Sequence, residues 1–274
     1  SVSPRHLLLD KNLLSPRSRH IMTSFAKLLY KAFLTITVAT APAVGETVQI
    51  PGPAGPLEGE ILRAHNALQW VIIIPGSGPI ARNGNSEELG LNSDTYALLA
   101  QEYLSIGLTS LRIDKRGFFG SRLAISDPAE VSLTGYAQDV TQWSEHAREQ
   151  GAECVWLAGH SEGGLVALIV AEANPDFLCG LILLAAPSQE FDQIALDQIR
   201  QNPQTRLHVD EAEAILSDLR NGVVRAPSDI TPILRPYFAE GNQRWIIQLL
   251  SFDPIALAQA YSGPTLVVQG TADH

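Results

Sequence analysis

Cysteine, methionine, aromatic residues and positive charge are all scarce in this 274-residue sequence, which has two Cys, one Met, 7% aromatic residues and 19 Lys+Arg against 29 Asp+Glu. Two cysteines without an accompanying Cys/His cluster exclude a zinc framework and a disulfide-dense mini-scaffold. The net charge of −10 and the sequence pI of about 5.1 argue against a surface that tracks nucleic-acid phosphates. No apolar run approaches the roughly 20 residues that cross a bilayer, so no stable membrane span is expected. What is present is 45% apolar and 18% charged residues at a mean hydropathy of +0.06, which excludes disorder and coiled coil. The length suits one large domain, or one domain carrying an insertion.

Charge is unevenly spread. Residues 1–44 hold six basic residues and one acidic residue, which leaves the remainder with a net charge of −15. Met22 is the expected start, followed by Lys27 and Lys31, the apolar run Ala32 to Thr40, and Ala41-Pro42-Ala43. This is the order of a secretory signal, with cleavage expected after Ala43 and a secreted or periplasmic product. The other reading is an amphipathic N-terminal helix retained in the mature chain. Residues 1–21 then read as upstream translation or a cloning remnant. Cys154 and Cys179 each stand at or just before an apolar run. They could pair in an exported protein, but free buried cysteines are the blander and favoured expectation.

Short β-branched or apolar runs recur at Trp70–Ile74, Thr109–Ile113, Cys154–Ala158, Leu181–Ala185 and Thr265–Gln269. Helix patterns fall between them at Asp94–Ser105, Tyr136–Gln150 and Leu165–Ala173, with Gly107, Gly151 and Asn174-Pro175 as stops. The alternation predicts an α/β fold built on a doubly wound, mostly parallel sheet. An antiparallel hairpin is expected over Thr47–Ala64. Residues 188–253 lack strand patterns and predict helices near Phe191–Gln201, Asp210–Asn221 and Ile233–Leu250. The expected organisation is therefore a core over 44–187, a helical cap insertion over 188–253, and a core strand with its following turn over 254–274.

Gly159-His160-Ser161-Glu162-Gly163-Gly164 follows a strand and opens a helix, the context in which G-x-S-x-G forms a nucleophile elbow. The turn is too tight for Cβ atoms at Gly159 and Gly163, and it presents the Ser161 hydroxyl at a helix N-terminus. Pro75-Gly76-Ser77-Gly78-Pro79 leaves an earlier strand and can aim backbone amides. The N–H groups of Ser77 and Glu162 would then hold a developing oxyanion, each worth roughly 3 kcal/mol. Gly270-Thr271-Ala272-Asp273 follows the last strand, where an acid can orient a catalytic histidine, and the order Ser then Asp is that of hydrolases.

With these residues the chain resembles the α/β-hydrolase superfamily, in particular secreted bacterial serine esterases and peptidase-like hydrolases with a helical cap. The resemblance covers about 46–274 through PGSGPIARNGN, RIDKRGFFGS, GHSEGGLVAL and SFDPIALAQAYSGPTLVVQGTAD. It implies Ser161 as nucleophile, Ser77 and Glu162 as oxyanion donors, and Asp273 as the acid. It also implies a further helix and strand leading to a catalytic histidine, so the chain is expected to be truncated. The histidines in hand are poor substitutes: His160 should point away from Ser161 by strand alternation, while His65, His146 and His208 fall in a turn, a covering helix and the cap. Asp114-Lys115-Arg116-Gly117 reads as an ion-paired scaffold turn beside the elbow.

The expected function is a serine hydrolase cleaving carboxylic esters of small molecules through an acyl-enzyme, with no cofactor and no metal. Serine at the elbow argues against the related dehalogenases and epoxide hydrolases, whose pattern has a carboxylate there. An aminopeptidase-like or thioesterase activity is the alternative, with Asp210 or Glu211 directed at a substrate amine in the former. Those two carboxylates read more simply as a helix start. A non-catalytic binder or inactive fragment is the reading of another class, since the histidine is absent.

Overall fold

The computed structural model describes residues 45–127 and 131–271. The signal-peptide reading of 22–43 and the candidate acid Asp273 lie outside these residues.

Strands β1 (Glu46–Pro51) and β2 (Pro56–Leu62) form the expected hairpin, with Ile50 opposite Leu57. Then follow β3 (Gln69–Ile74), α1 (Thr95–Ser105), β4 (Thr109–Ile113), α2 (Leu133–Glu149), β5 (Cys154–His160), α3 (Glu162–Glu172) and β6 (Leu178–Leu184). Helices α4 (Phe191–Gln201), α5 (Val209–Arg220), α6 (Glu240–Leu249) and α7 (Pro254–Ala260) intervene before β7 (Thr265–Val268). The described strands form one sheet in the order β1-β2-β4-β3-β5-β6-β7. The hairpin and β2–β4 pairings are antiparallel, and every pairing from β4 through β7 is parallel.

Alternation along β3 explains the layering. Trp70, Ile72 and Ile74 pack with Leu133, Val140 and Trp143 of α2 and with Val166 and Val170 of α3. Val71 and Ile73 point to the other face, where Tyr96 and Ala100 of α1 cover them. A strand buried on both faces must be apolar throughout, which is why QWVIII reads as a continuous run. Full burial of side chains such as Leu133 and Leu157 contributes about 1.5–3 kcal/mol each. Helix starts follow their caps: Ser132 Oγ accepts from Gly135 N at 2.9 Å, and Asp253 accepts from Ile255 and Ala256 ahead of Pro254.

Two expectations need correction. The helix expected over Ile233–Leu250 begins only at Glu240. Pro236 has no N–H to donate, so the chain instead turns over 232–237 before the helix starts. Cys154 and Cys179 are not free: they form a disulfide with Cα atoms 5.3 Å apart. The β5–β6 register shifts at Val155/Trp156, with Val155 opposite Leu178 and Trp156 opposite Gly180. Cys179 is thus the extra residue of a bulge beside Cys154, a geometry that strand runs alone do not reveal.

Helices α4 to α6 share a hydrophobic cluster of their own, with Ile199, Ile215, Leu219, Leu234, Phe238 and Ile246 buried together. The loops after β3 and β5 both leave the sheet at the C-terminal ends of neighbouring parallel strands, and β4 lies on the other side of β3. This is where the strand order reverses, the position at which open α/β sheets form a crevice.

Candidate active site

Strand β5 runs straight into α3 through Ser161, whose backbone sits at φ 52°, ψ −121°. A serine in this conformation is strained, and the surrounding packing holds it there. A Cβ on Gly159 would overlap the Gly163 carbonyl, and one on Gly163 would overlap the Ile74 carbonyl at the end of β3. A Cβ on Gly76 would stand 3.3 Å from that of Ser161. The elbow, α3 and the loop after β3 are therefore in backbone contact, and glycine at these positions is a steric requirement.

Ser161 is half-buried and lines a cavity of about 430 Å³ with Ala186, Ser188, Gln189, Gln198 and Gln269. Its backbone N–H is engaged by Leu184 O at 2.9 Å. Glu162 N–H stands at the positive end of α3. A hydroxyl on a strained turn at a helix N-terminus is suited to nucleophilic attack.

A buried polar network ties the two amide-bearing segments together. Ser77 Oγ donates to Glu162 Oε2 at 2.9 Å. Lys115 Nζ donates to Glu162 Oε1 at 3.0 Å and to the Gly76 carbonyl at 2.6 Å. Both charged side chains are 3% exposed. Burial pulls the Lys115 ammonium below its ordinary value, and Glu162 opposes that pull. The neighbouring charges complete the turn. Arg82 Nη1 donates to Asp114 at 2.6 Å and to Glu58 at 2.7 Å, while Arg116 makes a two-pronged contact with Asp139 at 2.6 Å. Burial raises the Asp114 and Asp139 carboxyls even against these guanidinium partners. Asp114-Lys115-Arg116 is the ion-paired scaffold turn read in the sequence. The partners of Lys115 were not legible there, because the ion pair spans 47 residues of chain.

The described histidines do not line the Ser161 cavity. His160 Nδ1 lies 2.7 Å from Tyr96 Oη, on the α1 side of the sheet. His146 packs edge-on against Trp143, His208 lies 3.8 Å from Glu211, and His65 is exposed in the turn between β2 and β3. Glu211 accepts from Thr231 N–H at 2.7 Å, and neither it nor Asp210 lines the cavity, in keeping with a helix start. Among the described residues no group of three His, Cys, Asp or Glu is placed to hold a metal ion, and no helix is long and apolar enough to cross a membrane.

Residues 89–201 match the Hydrolase_4 family model, described as serine aminopeptidase S33. Among solved structures, the chain is similar to proline iminopeptidase from Mycobacterium smegmatis at 17% identity and a TM-score of 0.52, over 81% of this chain and 80% of that one. It is similar to Est1E from Butyrivibrio proteoclasticus with ferulic acid bound at 18% identity and a TM-score of 0.50, over 81% and 78%. VinJ matches at 16% identity and a TM-score of 0.52, over 83% and 81%. At these identities the structures share the fold. No curated protein sequence matches the chain.

Proposed function

We propose that this chain is a serine hydrolase of the α/β-hydrolase superfamily that cleaves carboxylic esters of small molecules. The observation that carries the reading is the strained Ser161 at the N-terminus of α3, on the wall of a cavity.

In this reading Ser161 Oγ attacks the ester carbonyl while its proton passes to a base from outside the described residues, oriented by Asp273. The carbonyl oxygen becomes an oxyanion held by the backbone amides of Ser77 and Glu162. The base returns the proton to the leaving alkoxide, and an acyl-Ser161 ester remains. Water then attacks this ester by the same route and releases the acid. Helices α4 to α6 act as the cap, since α4 supplies Ile194 and Gln198 to the cavity wall. The product is exported in this reading, which the Cys154–Cys179 disulfide supports because such bonds persist in oxidising compartments. An amide substrate is the second reading and rests on the S33 description of the matching family model. The positions of Asp210 and Glu211 away from the cavity weigh against those two as amine receptors.

A fluorophosphonate probe on the folded protein tests the proposal. Labelling at Ser161, its loss in Ser161→Ala, and a fall in ester turnover of roughly 10⁶-fold in that variant are expected. A folded protein that includes the expected histidine segment and neither labels nor turns over any ester refutes it.

A further inference from the structure

The residues on either side of Ser161 are each tied to Gly76 through one buried side chain. From α1, Tyr96 Oη accepts the Gly76 N–H at 3.2 Å and lies 2.7 Å from His160 Nδ1. From the loop after β4, Lys115 Nζ donates to the Gly76 carbonyl at 2.6 Å and to Glu162 Oε1 at 3.0 Å. Gly76 is itself buried, so its N–H needs an acceptor within the protein, and the Tyr96 hydroxyl supplies one. Burial holds the Tyr96 phenol above its ordinary value of 10, so it keeps a proton to share with the His160 ring. The two rings also meet edge to face at 5.7 Å.

Holding Gly76 at both its N–H and its carbonyl fixes the two peptide planes that meet there. The second plane carries the Ser77 N–H, and in a trans peptide that N–H points opposite to the Gly76 carbonyl. Its direction is therefore set by where the carbonyl is pinned. Glycine at 76 has no side chain to resist rotation of these planes. No side chain can be added for that purpose, since a Cβ would stand 3.1 Å from His160 Nδ1 and 3.3 Å from Ser161 Cβ. The stiffness of the loop must come from outside it, and Tyr96 and Lys115 are the groups that reach in.

Resting on the ester-hydrolase reading, we infer that Tyr96 is a positioning residue of the reaction: through Gly76 on one side and His160 on the other, it fixes the Ser77 amide relative to the Ser161 hydroxyl. Its effect falls on the step in which negative charge develops on the carbonyl oxygen, because an amide turned off its line stabilises that charge less well.

The experiment uses protein that includes the expected histidine segment. Tyr96→Phe removes the hydroxyl and keeps the ring. Its kcat is expected to fall about tenfold with little change in KM, short of the roughly 10²–10³ that a whole oxyanion donor is worth. A thionoester, with C=S in place of C=O, reads the amide directly, because sulfur is larger and a weaker acceptor. The natural protein should prefer the ester, and Tyr96→Phe should narrow that preference several-fold, a change that a merely structural role does not produce. His160→Leu opens the same link from its other end and carries the same readouts if Tyr96→Phe does not fold. The double variant should lose little more than the worse single one. Tyr103→Phe, which removes a hydroxyl from the same helix, should leave kcat and the preference unchanged. The midpoint of thermal unfolding and fluorophosphonate labelling of Ser161 check that each variant is folded. Folded, labelled variants with an unchanged ester preference, or losses that multiply in the double variant, overturn this inference and leave the hydrolase reading standing. A folded natural protein that neither labels nor turns over any ester overturns both.

Discussion

Lys115 and Glu162 carry opposite charges at 3% exposure, so each depends on the other. Lys115→Met would leave the Glu162 carboxylate buried without its ion partner, at a cost of roughly 3–5 kcal/mol. The double variant Lys115→Met/Glu162→Leu removes both charges and should recover much of that loss. It should stay impaired in ester turnover, because the Ser77–Glu162 hydrogen bond that positions one amide against the other is gone. Thermal unfolding and kcat, measured on the same three proteins, separate the two effects. A second residue-scale outcome concerns pH. Hydrogen bonds from Gln49 and Arg82 hold the Glu58 carboxyl below its ordinary value of 4.5. A depressed carboxylate contributes stability above 4.5 and loses it as pH falls through the lowered value. The gap in unfolding midpoint between the natural protein and Glu58→Gln should therefore be present at neutral pH and close on the acid side of 4.5.

At the scale of elements, α3 and β3 approach until the Gly163 position lies against the Ile74 carbonyl. Gly163→Ala should push them apart, lowering the yield of folded protein and abolishing Ser161 labelling together. The strands were legible in sequence because each parallel strand is a short β-branched run buried on both faces. The elbow was legible because its glycines are a local requirement. The origin of α6 was not, since the apolar pattern from Ile233 onward looks helical until Pro236 is weighed. The disulfide was not legible either, because it joins cysteines 25 residues apart through a one-residue bulge. Replacing both cysteines by serine frees a closed loop in the unfolded chain worth about 3 kcal/mol. The midpoint of thermal unfolding should fall by roughly 6–12 °C for a domain of this size. A reducing agent should lower the midpoint of the natural protein in the same direction.

For the whole molecule, the asymmetry of charge matters more than its total. Residues 1–44 contribute six basic residues and one acidic residue to a chain whose pI is about 5.1. Protein beginning at Gly45 should focus at a lower pH than the 274-residue chain, and its minimum of solubility should move with it. Isoelectric focusing of both forms checks this. The Ser161 cavity belongs to this scale too, and for that reason sequence patterns missed it. It draws its wall from loops after different strands and from a helix between β6 and β7, so no contiguous stretch of sequence carries it. The disulfide has one more consequence. Residues 154 and 179 bracket all of β5, Ser161 and α3. A protease that cuts once anywhere between them therefore opens a covalent ring without releasing a fragment, and the two ends stay tethered until the bond is reduced.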